Sequence, residues 1–392
     1  MIPALMPLHV RPDLAFERGE GCYLFATDGT RYLDFICGIG VTGLGHCHPH
    51  LVAALTEQGN KVWHNSNLFR IAGQERLAER LVAATFADTA FFFNSGSEAI
   101  ECSIKMVRKH HDTVGNPRRY RIVTFEGAFH GRTMAAISAG RQAKHTDGFE
   151  PLLDGFDQVP FGDLDTVRAA LGPETAGILV EPVQGEGGIL PADDAFLSGL
   201  RQIADEYGLL LVFDEVQCGM GRTGKLLAHE WSGVEPDIAA VAKALGGGYP
   251  VGACLAKEAP ASAMTVGSHG TTFGGNPLAM AVANAVLDVF LGDGFLAHVC
   301  EMAVLFHDRL ERVVARNSSL FESVRGKGLM LGLKCCDDVA NTDLLVALRE
   351  RGLLAGPAGD NVLRFLPPLI IESAQIDEAL DILETACAEF RG

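Results

Sequence analysis

Residues 208–248 read GLLLVFDEVQCGMGRTGKLLAHEWSGVEPDIAAVAKALGGG, and their pattern decides the fold. Two nearly uninterrupted apolar runs, GLLLVF at 208–213 and DIAAVA at 237–242, fit strands buried on both faces. Asp214 follows the first, and Lys243 ends the second just ahead of Gly246-Gly247-Gly248. An isolated Lys is ordinarily a solvated surface charge. Behind an apolar strand and before a Gly-rich turn, desolvation would lower its pKa and expose a nucleophilic amine. An Asp and a Lys one strand–connection–strand unit apart can converge on one ligand at the sheet edge. The pair suits pyridoxal 5'-phosphate (PLP): the Lys forms the Schiff base and the Asp keeps the ring nitrogen protonated.

Working outward, similar runs stand at 90–93, 121–125, 176–180 and 252–256, with helical patterns at 97–110, 163–171 and 194–207. That alternation predicts an α/β fold with a mainly parallel sheet covered by helices, whose ligands gather at the carboxyl ends of the strands. Asn94-Ser95-Gly96-Ser97-Glu98 lies between one strand and one helix, where backbone N–H groups and Ser hydroxyls favour an anion such as a phosphate. An ordinary N-cap at Ser95 or Ser97 explains that segment alone equally well. Its weight comes from occurring with the Asp–Lys pair.

At ~150 residues per domain, 392 residues suggest two or three domains. After Asn276-Pro277 the pattern changes to long helices at 277–291 and 295–316, a strand-like stretch at 323–335 and a helix near 374–390. We expect an N-terminal segment, 1–45, packing near a small α+β domain, 291–392, with a large PLP-binding domain, 46–290, between them. CYLFAT and TRYLDF around Asp28-Gly29 read as two strands of the first segment.

The net charge of −17 would repel phosphate backbones, so a nucleic-acid partner is not expected. The N-terminal stretch lacks the basic and apolar regions of a secretory signal. The longest apolar stretch, 238–256, is broken by Lys243 and three glycines, and no membrane partner is expected. Ten cysteines form no CxxC pair, which fits a reduced, cytoplasmic protein.

Two GxGxxG matches, 38–43 and 219–224, leave a nucleotide-binding protein as a remote alternative, the second extending through Lys225 as GxxxxGK. Leu226 stands where a phosphate-binding loop needs Ser or Thr, and no acidic residue follows at the dinucleotide spacing. His46, His48 and His50 crowd together, yet no cysteine-pair or HExxH spacing accompanies them, so no metal is expected.

With these residues in hand, the chain resembles the class III, ornithine-type aminotransferases of PLP fold type I. The matching segments run along almost the whole chain: DGTRYLDF at 28–35, GHCHP at 45–49, NSGSEA at 94–99, FHGRT at 129–133, EPVQGEGG at 181–188, DEVQCGMGRTG at 214–224, the Lys243 region, HGTTFGGNPLA at 269–279 and LRFLPPL at 363–369. The resemblance implies that Lys243 and Asp214 are catalytic. Gly96 and Ser97 would bind the phosphate, Phe129 would stack on the ring, and Glu215, Val216 and Gln217 would line it. Thr272 would reach the phosphate of a neighbouring subunit, making the active unit a homodimer with shared sites. Thr271 would lie near substrate, Arg132 would clamp a substrate carboxylate, and Arg364 would hold a carboxylate of 2-oxoglutarate or glutamate, with Glu186 neutralising it otherwise. FHGRT, EPVQGEGG and the length are most similar to the branch acting on N-acetylornithine in arginine biosynthesis. Arg70 and Thr271 depart from residues common in the family. Succinyl-diaminopimelate, ornithine and 4-aminobutyrate therefore stay open as donors.

Overall fold

A computed structural model describes residues 4–390; residues 1–3 and 391–392, part of the N-terminal reading and of the outer domain limits, lie outside it. Seven strands form the central sheet in the order 89–93, 252–256, 238–241, 210–214, 175–180, 121–125, 156–159. Every pairing is parallel except those of 252–256, which runs against both neighbours. All the other strands therefore point one way, and their carboxyl ends share one edge. The sheet is α/β and mainly parallel, as the alternation predicts.

The apolar runs have a direct cause. Thr175–Val180, Leu210–Asp214, Ile238–Val241 and Gly252–Ala256 are buried at every position, so neither face alternates toward water. On one side Ile100, Ile104 and Val107 of helix Gly96–Thr113 pack over Ile122, Leu179 and Val212. On the other, Phe196, Leu200 and Ile203 of helix Asp194–Tyr207 cover Val123, Ile178 and Phe213. No single helix among the described residues is long and apolar enough to cross a membrane.

Strands Phe16–Glu20, Tyr23–Ala26 and Arg31–Asp34 form an antiparallel ladder, and Leu353–Leu354 joins it parallel to the last. The N-terminal segment is thus fastened by backbone pairing to the C-terminal part of the chain. Residues 323–335 are not one strand. Phe321–Lys327 and Met330–Cys335 pair as a hairpin turning at Gly328, whose φ is +63° and where a Cβ would lie 2.4 Å from Thr223 Cα. Strand Val362–Phe365 pairs with the second arm and carries Arg364 inward.

The loop 219–226 is no phosphate cradle. The N–H groups of Gly219, Gly221, Arg222 and Gly224 are taken by the carbonyls of Glu215, Leu226, Gly219 and Gly221. Only a 3₁₀ turn, Ala228–Trp231, follows it. Within the loop, Arg222 is wholly buried, and its Nη1 donates to the carbonyls of Leu329 (3.1 Å) and Pro367 (2.5 Å). Desolvation pulls its pKa down to about 10. Arg222→Ala strands both carbonyls and opens a cavity. We expect the apparent Tm of the apoprotein to fall by at least about 5 °C. A thermal scan showing no shift would mean that this tie does not hold the hairpin to the sheet.

Candidate active site

The shared strand edge delivers one functional residue after another. Glu181 follows strand Thr175–Val180, Asp214 ends Leu210–Asp214, and Lys243 comes two residues after Ile238–Val241. Beyond Phe93, Ser95 caps helix Gly96–Thr113 by accepting from Glu98 N at 3.3 Å, while Glu98 Oε2 accepts from Asn94 N at 2.8 Å. The capping leaves the first-turn N–H groups at Gly96 and Ser97 outside the helical ladder. These elements enclose a cavity of about 310 Å³ lined by Gly96, Ser97, Phe129, Asp214 and Lys243. Val216 and Gln217 complete its wall.

The close fit is visible at Gly96, where a Cβ would fall 2.6 Å from Val216 Cγ1. Lys243 itself sits at φ +48°, a conformation that costs a non-glycine residue about 1–3 kcal/mol and that persists where the surroundings impose it. Desolvation lowers its pKa to about 8, against the opposing pull of Glu186, with Arg364 adding to the depression. At neutral pH an appreciable fraction of this amine is uncharged.

Two residues that the sequence reading passed over complete the floor. His130 is buried, and its Nδ1 lies 2.7 Å from Asp214 Oδ2; Asp214 Oδ1 accepts from Val216 N at 3.0 Å. Burial alone would lower the His130 pKa, but the hydrogen bond and charge of Asp214, with Glu181, raise it on balance. Glu181 accepts from Phe129 N (3.0 Å) and Gly185 N (3.3 Å). Desolvation pushes its pKa up to about 8; Asp214 adds to this while His130 opposes it. Glu181 follows an apolar strand as Asp214 does, so the same signal could have found it.

The expected ion pair is present. Arg364 is 2 % exposed; its Nη1 lies 2.5 Å from Glu186 Oε1 and 3.2 Å from Gln217 Oε1. Gln217 Nε2 stands 3.4 Å from the same Glu186 oxygen. Burial would raise Glu186, but the charge and hydrogen bond of Arg364, then Lys243 and Gln217, hold it below the usual carboxylate range.

Other expected residues lie elsewhere. Glu215 does not line the cavity: it is fully buried, and its carboxylate accepts from Ala228 N (2.6 Å) and His229 N (2.8 Å) and faces His229 Nδ1 (3.0 Å). It anchors the turn 228–231, because neighbours in an extended segment project to opposite sides. Thr271 Oγ1 accepts from Gly274 N at 3.1 Å and lies 3.5 Å from Asn94 Nδ2, beside the cavity and not in its lining. Thr272 is exposed, and Arg132 is exposed with its guanidinium 5.6 Å from the Phe129 ring centre. Arg70 pairs with Glu75 on the surface. His46 and His50 face Asp34 and Asp288, each at 2.8 Å, and among the described residues no group of three or more His, Cys, Asp or Glu could hold a metal ion.

Residues 7–387 match the family model of class-III aminotransferases. The chain belongs to that family. It is 59% identical over 378 residues to an acetylornithine aminotransferase of Mesorhizobium japonicum, covering 96% of this chain and 94% of the relative. The crystal structure of N-acetylornithine aminotransferase from Stenotrophomonas maltophilia superposes with a TM-score of 0.85 at 40% identity, over 97% of each chain. An amine transaminase from an uncultivated Pseudomonas species, solved in its PLP-bound form, gives a TM-score of 0.90 at 28% identity over 98% of each chain.

This class III aminotransferase is a PLP enzyme of fold type I, and its cavity fits the cofactor. The free N–H groups at Gly96 and Ser97 would hold the phosphate, Phe129 and Val216 would flank the ring, Asp214 would face the ring nitrogen and Lys243 the carbonyl carbon. Apoenzyme offered PLP across a pH series should take it up through the neutral amine. The rate should therefore rise toward about pH 8 and then level, and borohydride should fix the label on the Lys243 peptide. A rise continuing to pH 10, or a label on Lys225, would contradict the assignment.

Proposed function

We propose that the enzyme transfers the terminal amino group of N-acetylornithine to 2-oxoglutarate, giving N-acetylglutamate 5-semialdehyde and glutamate. The observation that carries this reading is the Arg364–Glu186 pair beside Lys243. The donor's reacting end is a bare amine, whereas the acceptor's reacting end bears a carboxylate. An arginine permanently open to the cavity would favour α-amino acids in both directions. Glu186 masks Arg364 while the amine donor reacts. The carboxylate of 2-oxoglutarate then takes the guanidinium fork, a better match to a carboxylate than a point charge. Gln217, bonded to both partners, steadies the pair in its closed arrangement.

Bound PLP supplies a carbonyl that accepts the amine and a protonated ring that accepts the electron pair released at carbon. Lys243 would take up and return the proton at the substrate carbon; its lowered pKa suits both directions near neutral pH. Asp214, held in place by His130 and Val216 N, keeps the proton on the ring nitrogen. Exposed Arg132, near the Phe129 ring, would receive the α-carboxylate of the donor.

The active unit is a homodimer in this proposal. Trp63, Leu68, Phe69 and Phe273 are exposed apolar side chains on segments joined by Asn67, whose Nδ2 donates to Thr271 O and Gly274 O, and Thr272 lies among them. Such a patch is suited to a second copy. Cytoplasmic location and a place in arginine biosynthesis accompany the substrate.

Glu186→Ala should raise the rate of cofactor reduction by glutamate relative to N-acetylornithine by about tenfold to a few hundredfold. Single-turnover spectroscopy with each donor measures that ratio, and an unchanged ratio removes Glu186 as the switch. A panel with ornithine, 4-aminobutyrate and N-succinyl-diaminopimelate tests the donor itself; any of these outpacing N-acetylornithine overturns the substrate. Asp214→Asn should slow the proton-transfer half-reaction by at least ~100-fold while PLP is retained. A near-normal half-reaction would place the ring's proton under other control.

A further inference from the structure

A second cavity, of about 270 Å³, shares no lining residue with the active site. It lies between the loop 219–226, helix Phe295–Arg316 and the turn of the 321–335 hairpin, and includes Thr223, Trp231, Cys300, Val304, Lys327 and Leu331. Three observations give it a chemical character. Lys225 Nζ and Lys327 Nζ stand 5.1 and 5.3 Å from the centre of the Trp231 ring, two ammonium groups on one indole of a chain of net charge −17; Lys327 is part of the lining and Lys225 lies outside it. Thr223 is 1 % exposed, and its Oγ1 has no hydrogen-bond partner. Cys300, Ala303, Val304 and Leu331 make part of the wall apolar, and exposed Trp231 is fixed by its Nε1 donating to Thr223 O at 3.1 Å. The nearby acidic groups are Asp308 in the lining and Asp194, 3.7 Å from Lys327 Nζ; His307 also lines the cavity.

A buried hydroxyl without a partner is costly, and a hydroxyl donor in a cavity that Lys327 also lines matches a carboxylate. The flat indole with Val304 and Leu331 offers an apolar face that inorganic phosphate would leave uncovered. The volume falls just below the usual range for small-molecule sites, which favours a small ligand. The N–H groups of Gly219, Gly221, Arg222 and Gly224 are in any case taken by backbone carbonyls. We propose that this cavity binds a small organic carboxylate with a flat apolar body. Its carboxylate sits among Lys225, Lys327 and Thr223, and its body lies against Trp231 and Val304.

Phenylacetate serves as the probe, titrated into the holoenzyme by calorimetry at fixed ionic strength. Trp63→Phe leaves Trp231 as the only tryptophan, so its emission should change over the same titration. Lys225→Ala and Lys327→Ala, both at partly exposed positions, should each weaken binding about tenfold or more, and 2-phenylethanol should not bind. Val304→Trp, at an exposed position of the rim, should block the site without disturbing the fold. Four results would overturn the proposal. They are no binding at all, equal affinity in the lysine variants, competition by 2-oxoglutarate (which would place the probe in the active site), and inorganic phosphate binding as tightly as phenylacetate.

Discussion

The 2.7 Å contact between His130 and Asp214 is the interaction on which the site depends. A carboxylate buried at the end of a strand is tolerable only when its oxygens are occupied, and Asp214 has one oxygen on His130 and the other on Val216 N. That occupation fixes its orientation toward the cavity. It also limits its neighbours: with Asp214 nearby, burial leaves Glu181 little reason to ionise, and its pKa stands at about 8. Two acids of the same sheet edge thus have different partners: Asp214 meets one histidine and one backbone donor, Glu181 two backbone donors. The parallel order of the strands places both acids there, and Lys243 follows from the next strand in the sheet.

Among the described residues two guanidinium groups are almost completely buried, and they are held differently. Arg222 is tied to the carbonyls of Leu329 and Pro367, neutral partners that have no reason to leave. Arg364 is tied to Glu186 and Gln217, and Glu186 keeps part of its surface accessible. A charge partner that is not locked in backbone can be exchanged for another carboxylate. Carbonyls locked in backbone cannot. One arginine therefore braces the fold, and in the proposed function the other would sort ligands.

Much of this was legible in the residues. Asp214, Lys243 and the 94–98 cradle stand out because polar side chains directly follow apolar strands, and the topology brings strand ends together. Glu181 carried the same mark and was overlooked. His130 carried none, for a lone histidine between Phe129 and Gly131 has no periodic neighbours. Glu215 was misplaced by its adjacency to Asp214, although adjacent side chains diverge. The hairpin at 321–335 was hidden because Gly326-Lys327-Gly328 is short and lies within a run that otherwise reads as one strand. The Glu186–Arg364 pair came only through family resemblance. Its geometry rests on the register of strand 362–365 against 330–335, a long-range pairing that local pattern does not encode.

The lone antiparallel strand has a consequence for the order of assembly. Phe93, next to the phosphate cradle, pairs with Gly252, far along the chain, and Arg364 arrives later still from near the C-terminus. Closing such long loops costs entropy before the contacts they permit can offset it. The site is therefore a product of nearly complete folding and cannot seed it. A nascent chain carries Asp214 and Lys243 before it carries Gly252 or Arg364, so neither the cavity nor the buried arginine beside Glu186 is complete until late in synthesis.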